Sequence, residues 1–123
     1  MPNMSFALTK YQYMTGTKTV TRRMGWKHLK AGDLFSAVEK SQGLKKGERV
    51  VIMGANKVIS ARWEPLRRMI DDPEYGKSEV ILEGFPDLTP AEFIEFFCKT
   101  HKGCTPETLV HRIEFEKLKG ESR

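Results

Sequence analysis

Gly16-Thr17-Lys18-Thr19-Val20-Thr21-Arg22-Arg23 is the stretch on which the reading of the fold turns. Thr19, Val20 and Thr21 are all β-branched, and branching at Cβ stiffens χ1 in a way that an extended backbone accommodates best. A strand is therefore expected over Thr19 to Arg23, with Thr19 and Thr21 on one face and Val20 on the other. Gly16 is expected to stop a short preceding helix, because glycine adopts the left-handed conformation of a helix C-terminus without penalty. Chemically, the stretch brings three cations, Lys18, Arg22 and Arg23, together with three hydroxyls, Thr17, Thr19 and Thr21. Guanidinium groups grip an anion through paired hydrogen bonds, and hydroxyls donate or accept, so the run suits a phosphate or another polar ligand. The alternative is an edge strand that carries Lys and Arg as a guard against aggregation.

Upstream, Ser5 to Leu8 is expected as a short strand, followed by Thr9 capping a helix through Tyr11, Tyr13 and Met14. Downstream, the turns Lys30-Ala31-Gly32-Asp33 and Lys46-Gly47-Glu48 launch expected strands at Leu34 to Val38 and Arg49 to Met53. Gly54-Ala55-Asn56-Lys57 has turn chemistry, which predicts a hairpin into a strand from Val58 to Trp63. Pro65 to Ile70 suits a helical turn, Asp71 to Lys77 an exposed loop, and Glu79 to Leu82 a brief strand. Thr89-Pro90-Ala91-Glu92 is the strongest helix start, with a capping threonine, proline in the first turn and a glutamate placed for a capping box. Phe93, Ile94, Phe96, Phe97 and His101 then follow at helical spacing before Gly103. Leu109 to Leu118 alternates as a closing strand.

The 123 residues suit one domain at 1–118, with a polar tail at 119–123. Lys plus Arg outnumber Asp plus Glu by 21 to 16, giving a net charge of +5 and a bias toward polyanionic partners such as RNA. No apolar run is long enough for a membrane span or a signal peptide, so a cytoplasmic protein with no membrane partner is expected. In that setting Cys98 and Cys104 are expected as free thiols. Short strands with two or three helices predict an α+β domain built on a small curved or closed barrel.

GTKTVTRR resembles the glycine, lysine and arginine motif of ASCH domains, small barrels related to PUA RNA-binding domains. LKAGDLF at Leu29 to Phe35, EGFPDLTPAEFIEFF at Glu83 to Phe97 and RIEF at Arg112 to Phe115 resemble later segments of the same family. Around Lys18, Thr21 and Glu83 the chain is similar to the bacterial 4-acetylcytidine amidohydrolases. The resemblance implies a PUA-like barrel flanked by two or three helices, with RNA or a modified nucleoside as partner and no cofactor. It also implies roles: Thr21 as nucleophile, Lys18 as the base that deprotonates it, and Glu83 orienting the substrate or shuttling a proton. A threonine hydroxyl needs such a base, and a lysine serves when burial lowers its pKa. Lys18 and Thr21 lie three apart, so an ideal strand would place them on opposite faces unless a twist or bulge intervened. Two further readings of the family remain open, a non-catalytic RNA-binding module and a metal-dependent ribonuclease.

Lys18, Arg22 and Arg23 are also the expected phosphate contacts, with Trp26 as a stacking platform and Arg62, Arg67 and Arg68 extending the basic surface. Cys98, His101 and Cys104 in CKTHKGC are competent metal ligands. A structural zinc site needs four ligands, however, and packing within the helix is the preferred reading, so no metal is expected.

Overall fold

The computed structural model describes residues 1–41 and 43–119, so residues 120–123 of the expected tail lie outside it. In chain order, β1 (Asn3–Ser5) leads through a 3-10 turn at Ala7–Thr9 into α1 (Lys10–Met14). The strands β2 (Val20–Arg23), β3 (Leu34–Val38) and β4 (Ile52–Pro65) follow. Three helices, α2 (Arg68–Asp71), α3 (Pro73–Glu83) and α4 (Pro90–Lys99), then precede the closing strand β5 (Leu109–Lys117). The five strands form one mixed sheet in the order β1-β3-β4-β5-β2, parallel only between β1 and β3. This is the expected α+β class. No ladder joins β1 to β2 among the described residues, so the sheet is not closed into the expected barrel. The side chain of Arg23 crosses that gap instead, with Nη2 donating to the Ser5 carbonyl at 2.8 Å.

Two expectations are corrected by tertiary context. Gly54 to Lys57 forms no hairpin turn, because these residues are the middle of β4 and pair with β3 from Ala37 to Leu34. Their turn-like composition serves the core. Asn56 is fully buried and accepts a 2.8 Å hydrogen bond from the Tyr13 hydroxyl, which lies where a side chain on Gly54 would sit. The expected loop at Asp71 to Lys77 and the brief strand at Glu79 to Leu82 are together the helix α3. Asp72 caps it by accepting from the Tyr75 N–H, Pro73 fills the first turn, and Gly84 ends it with φ +96°. Smaller differences lie upstream, where the first strand ends at Ser5 and Thr9 precedes α1 without a side-chain cap bond. The capping box of Thr89 and Glu92 at α4 and the left-handed Gly16 after α1 are as expected.

Both faces of the sheet are covered. On one face Phe6, Tyr13, Phe35 and Phe115 pack with ring centroids 5.2 to 6.3 Å apart, joined by Met4, Val58 and Ile113. On the other, Leu66, Met69, Val80, Phe93, Ile94, Phe97 and Val110 form the core beneath the helices. Each buried aliphatic or phenylalanine side chain contributes about 1.5–3 kcal/mol, so both layers are needed to hold the long strands β4 and β5. Among the described residues no helix is long and apolar enough to cross a membrane.

Gly76 allows α3 to approach α2 and α4, because a Cβ there would run into the Met69 carbonyl oxygen and lie 2.8 Å from Pro90. Alanine ordinarily stabilises a helix relative to glycine, but here the backbone would have to move. Gly76→Ala is expected to lower stability by about 1–3 kcal/mol in urea denaturation. A neutral or stabilising result would contradict this packing.

Candidate functional site

β2 lies at the edge of the sheet, and Lys18 precedes it rather than belonging to its ladder. The main chain there is anchored from two sides: Lys18 N donates to Gln12 O at 3.0 Å and Thr19 N to Leu82 O at 2.9 Å. These bonds tie the segment to α1 and to the end of α3. Because β2 has a free edge, a cavity beyond it is open to residues from both faces of the strand. Lys18 and Thr21 therefore line one cavity without a bulge between them.

Arg22 points to the helix-covered face and is enclosed, with a side chain 0% exposed. Its Nη1 donates to Glu83 Oε2 at 3.0 Å. Nη2 donates to Glu79 Oε1 at 2.5 Å, Glu64 Oε2 at 3.0 Å and the Tyr75 hydroxyl at 3.1 Å. Arg112 on β5 grips both oxygens of Glu79, at 2.6 and 2.9 Å. Glu64 also accepts from Arg62, Arg68 and Tyr75 at 2.8, 3.1 and 2.7 Å. Burial opposes the charge on Arg22, yet Glu83 and Glu79 outweigh it and raise its pKa. Burial likewise opposes ionisation of Glu64, but hydrogen bonds from Arg62 and Tyr75 and the charge of Arg22 hold it down at about 2. Among the described residues the Arg22 Nε–H is the one buried side-chain polar group without a partner.

Glu83 joins this network to the cavity. Lys18 Nζ donates to the Glu83 carbonyl oxygen at 2.6 Å and to Oε1 at 3.4 Å. An ammonium at the carbonyl end of α3 also complements the helix dipole. Burial pulls Lys18 down to about 8, Glu83 opposes that shift, and the neighbouring Arg23 and Arg22 reinforce it. Arg23 Nε donates to Thr21 Oγ1 at 3.0 Å, and its guanidinium lies 5.4 Å from the Phe6 ring centre. Desolvation lowers Arg23 to about 10 against the pull of Glu83, which leaves it charged at neutral pH. The cavity measures about 530 Å³ and is walled by Phe6, Phe85, Phe93, Phe96 and Phe97, with Thr100 and His101 beside them.

The structure thus brings Lys18, Thr21, Arg22, Arg23 and Glu83 together. Arg22, expected at a phosphate, already has both Nη atoms engaged by carboxylates and tyrosine. Trp26 lies away from the cavity, with its carbonyl oxygen 2.9 Å from His111 Nδ1. Arg62 and Arg68 bond Glu64, while Arg67 bonds Asp71 and Glu107, so none of these three reaches the cavity. Among the described residues no group of three or more His, Cys, Asp and Glu side chains is placed to hold a metal. His101 turns its Nδ1 to the Phe97 carbonyl, 2.9 Å away, and stacks on that ring.

Sequence reasoning missed Glu64, Tyr75, Glu79 and Arg112. The signal for one pair was present, since Glu79 and Glu83 are four apart and share a helix face. Reading that segment as a strand hid it.

No family model matches the sequence, and no curated protein matches it. The fold is similar to the crystal structure of a protein from Enterococcus faecalis V583 assigned to the family model DUF984. The two share 15% identity with a TM-score of 0.56, and the match covers 90% of this chain and 70% of the other. At that identity the likeness shows the fold alone.

The depressed pKa of Glu64 has a consequence for acid stability. Its ionised form contributes fully above the ordinary value of 4.5, and that contribution is lost as pH falls toward about 2. Urea stability is expected to be level at neutral pH and to fall over that window, with a shallower fall in Glu64→Gln. Identical acid limbs in the two proteins would contradict the assignment.

Proposed function

We propose that this chain is an ASCH-type domain whose cavity binds a modified nucleoside, and that it removes the acyl group from an N-acylated cytidine. The observation that supports this most is the meeting of Thr21, Lys18, Glu83 and Arg23 in one cavity walled by phenylalanines. Flat aromatic walls suit a nucleobase, and the polar end suits the amide carried on it.

In this reading Thr21 Oγ attacks the acyl carbonyl carbon while its proton passes to the neutral amine of Lys18. A lysine at about 8 is neutral in roughly a tenth of molecules at pH 7, far more than an ordinary lysine. The hydrogen bond from Arg23 to Thr21 Oγ1 holds the hydroxyl in place and favours negative charge on its oxygen. The tetrahedral oxyanion then collapses, the C–N bond breaks, and Lys18 returns the proton to the departing amino nitrogen. Water hydrolyses the acyl-threonine ester to a carboxylate and restores Thr21. Glu83 holds the Lys18 amine in the resting site and relays protons to it.

The reading of a non-catalytic RNA-binding module draws less support, because Arg22, Arg62, Arg67 and Arg68 are paired with carboxylates.

The test is hydrolysis of N4-acetylcytidine. Thr21→Ala is expected to abolish turnover, and Lys18→Ala and Glu83→Ala to lower kcat/KM by roughly 10²–10⁴-fold. In the wild type kcat/KM should rise with pH through about 8, since the base must lose its proton to act. Turnover unaffected by all three substitutions would sink the site assignment. Salt-sensitive RNA binding without turnover would favour the binding module instead.

A further inference from the structure

Cys98 and Cys104 play no part in the chemistry above. Cys98 lies in the last turn of α4, and Cys104 follows Gly103, whose φ of +78° turns the chain back. Their Sγ atoms are 2.7 Å apart and unbonded. The intervening backbone is already held: Thr100 N donates to the Phe96 and Phe97 carbonyls, and Cys104 N to the His101 carbonyl at 3.2 Å. A hydrogen-bonded turn thus brings the two sulfurs together, and a bond of about 2.05 Å needs only a small further approach.

We propose that Cys98 and Cys104 form a redox-responsive dithiol site, which closes to an intramolecular disulfide by exchange with a low-molecular-weight disulfide of the glutathione type. One thiolate of the pair attacks one sulfur of that reagent, breaking its S–S bond and releasing one thiolate. The other cysteine then loses its proton and attacks the capped sulfur, forming the protein disulfide and releasing the second thiolate. The two protein thiols are oxidised, the reagent is reduced to two thiols, and the two protons go to those leaving groups. Burial and the adjoining Cys104 push the Cys98 thiol up to about 12.

The location gives the bond a consequence. Beyond Cys98 the chain carries Thr100 and His101 to the cavity wall, with His101 stacked on Phe97 at 4.0 Å between ring centres. Closing the ring fastens that end of α4 to the segment entering β5, so the cavity wall stiffens. This inference stands independently of the hydrolase reading.

The experiment incubates the folded full chain with oxidised glutathione and follows it by intact mass spectrometry. The expected product has lost the mass of two hydrogen atoms, retains no glutathione, and is restored by dithiothreitol. Cys98→Ser and Cys104→Ser, shown to be folded by circular dichroism, should lose this product. Amide exchange over residues 99–104 should slow in the oxidised protein. An unchanged mass, or a lasting glutathione adduct in the wild type, would overturn the site, and unchanged exchange would overturn the stiffening of the cavity wall.

Discussion

Enclosing the Arg22 guanidinium between the sheet and α3 is the constraint on which the rest of the structure depends. A buried cation is tolerable only when carboxylates surround it with good hydrogen-bond geometry, because desolvating each ion costs several kcal/mol. Glu64 from β4 and Glu79 and Glu83 from α3 supply those carboxylates, so one side chain of a short edge strand fixes the position of a helix and of a central strand. Arg112 from β5 and Tyr75 from α3 complete the set. Removing any one partner would leave a buried charge exposed to the interior, which makes the cluster cooperative rather than a sum of pairs.

The same cluster sets the chemistry of the cavity. Glu83 faces Arg22 with one carboxylate oxygen and Lys18 with the other, and its main-chain oxygen takes the shorter bond from Lys18. Burial leaves the Lys18 proton loosely held against the opposing pull of Glu83, while Arg23 holds the Thr21 hydroxyl in the same cavity.

Much of this was legible in the sequence where local rules and tertiary context agree. The capping box at Thr89 and Glu92 predicts α4, and the alternation of Leu109 to Leu118 predicts β5, because each signal lies within a few residues. Gly54 to Lys57 misleads, since turn chemistry there serves pairing with β3 and room for Tyr13, neither visible locally. α3 misleads because Tyr75-Gly76 and Val80-Ile81-Leu82 dilute its helical character, although Asp72 and Pro73 open it as Thr89 and Pro90 open α4. In the site, Lys18, Thr21 and Glu83 came from a resemblance, and their meeting in one cavity depends on the free edge of β2. That Arg22 is enclosed by carboxylates rather than turned to a phosphate depends on a helix the sequence hides.

The central claim is that burial beside the charge cluster, against the pull of Glu83, leaves Lys18 poised to exchange its proton near neutral pH. The most direct measurement is an NMR titration of the lysine side chains, with Lys18 assigned by its loss in Lys18→Met. The account predicts that the Lys18 resonance titrates near 8. Titration of Lys18 at the ordinary lysine value of 10.5 would contradict it.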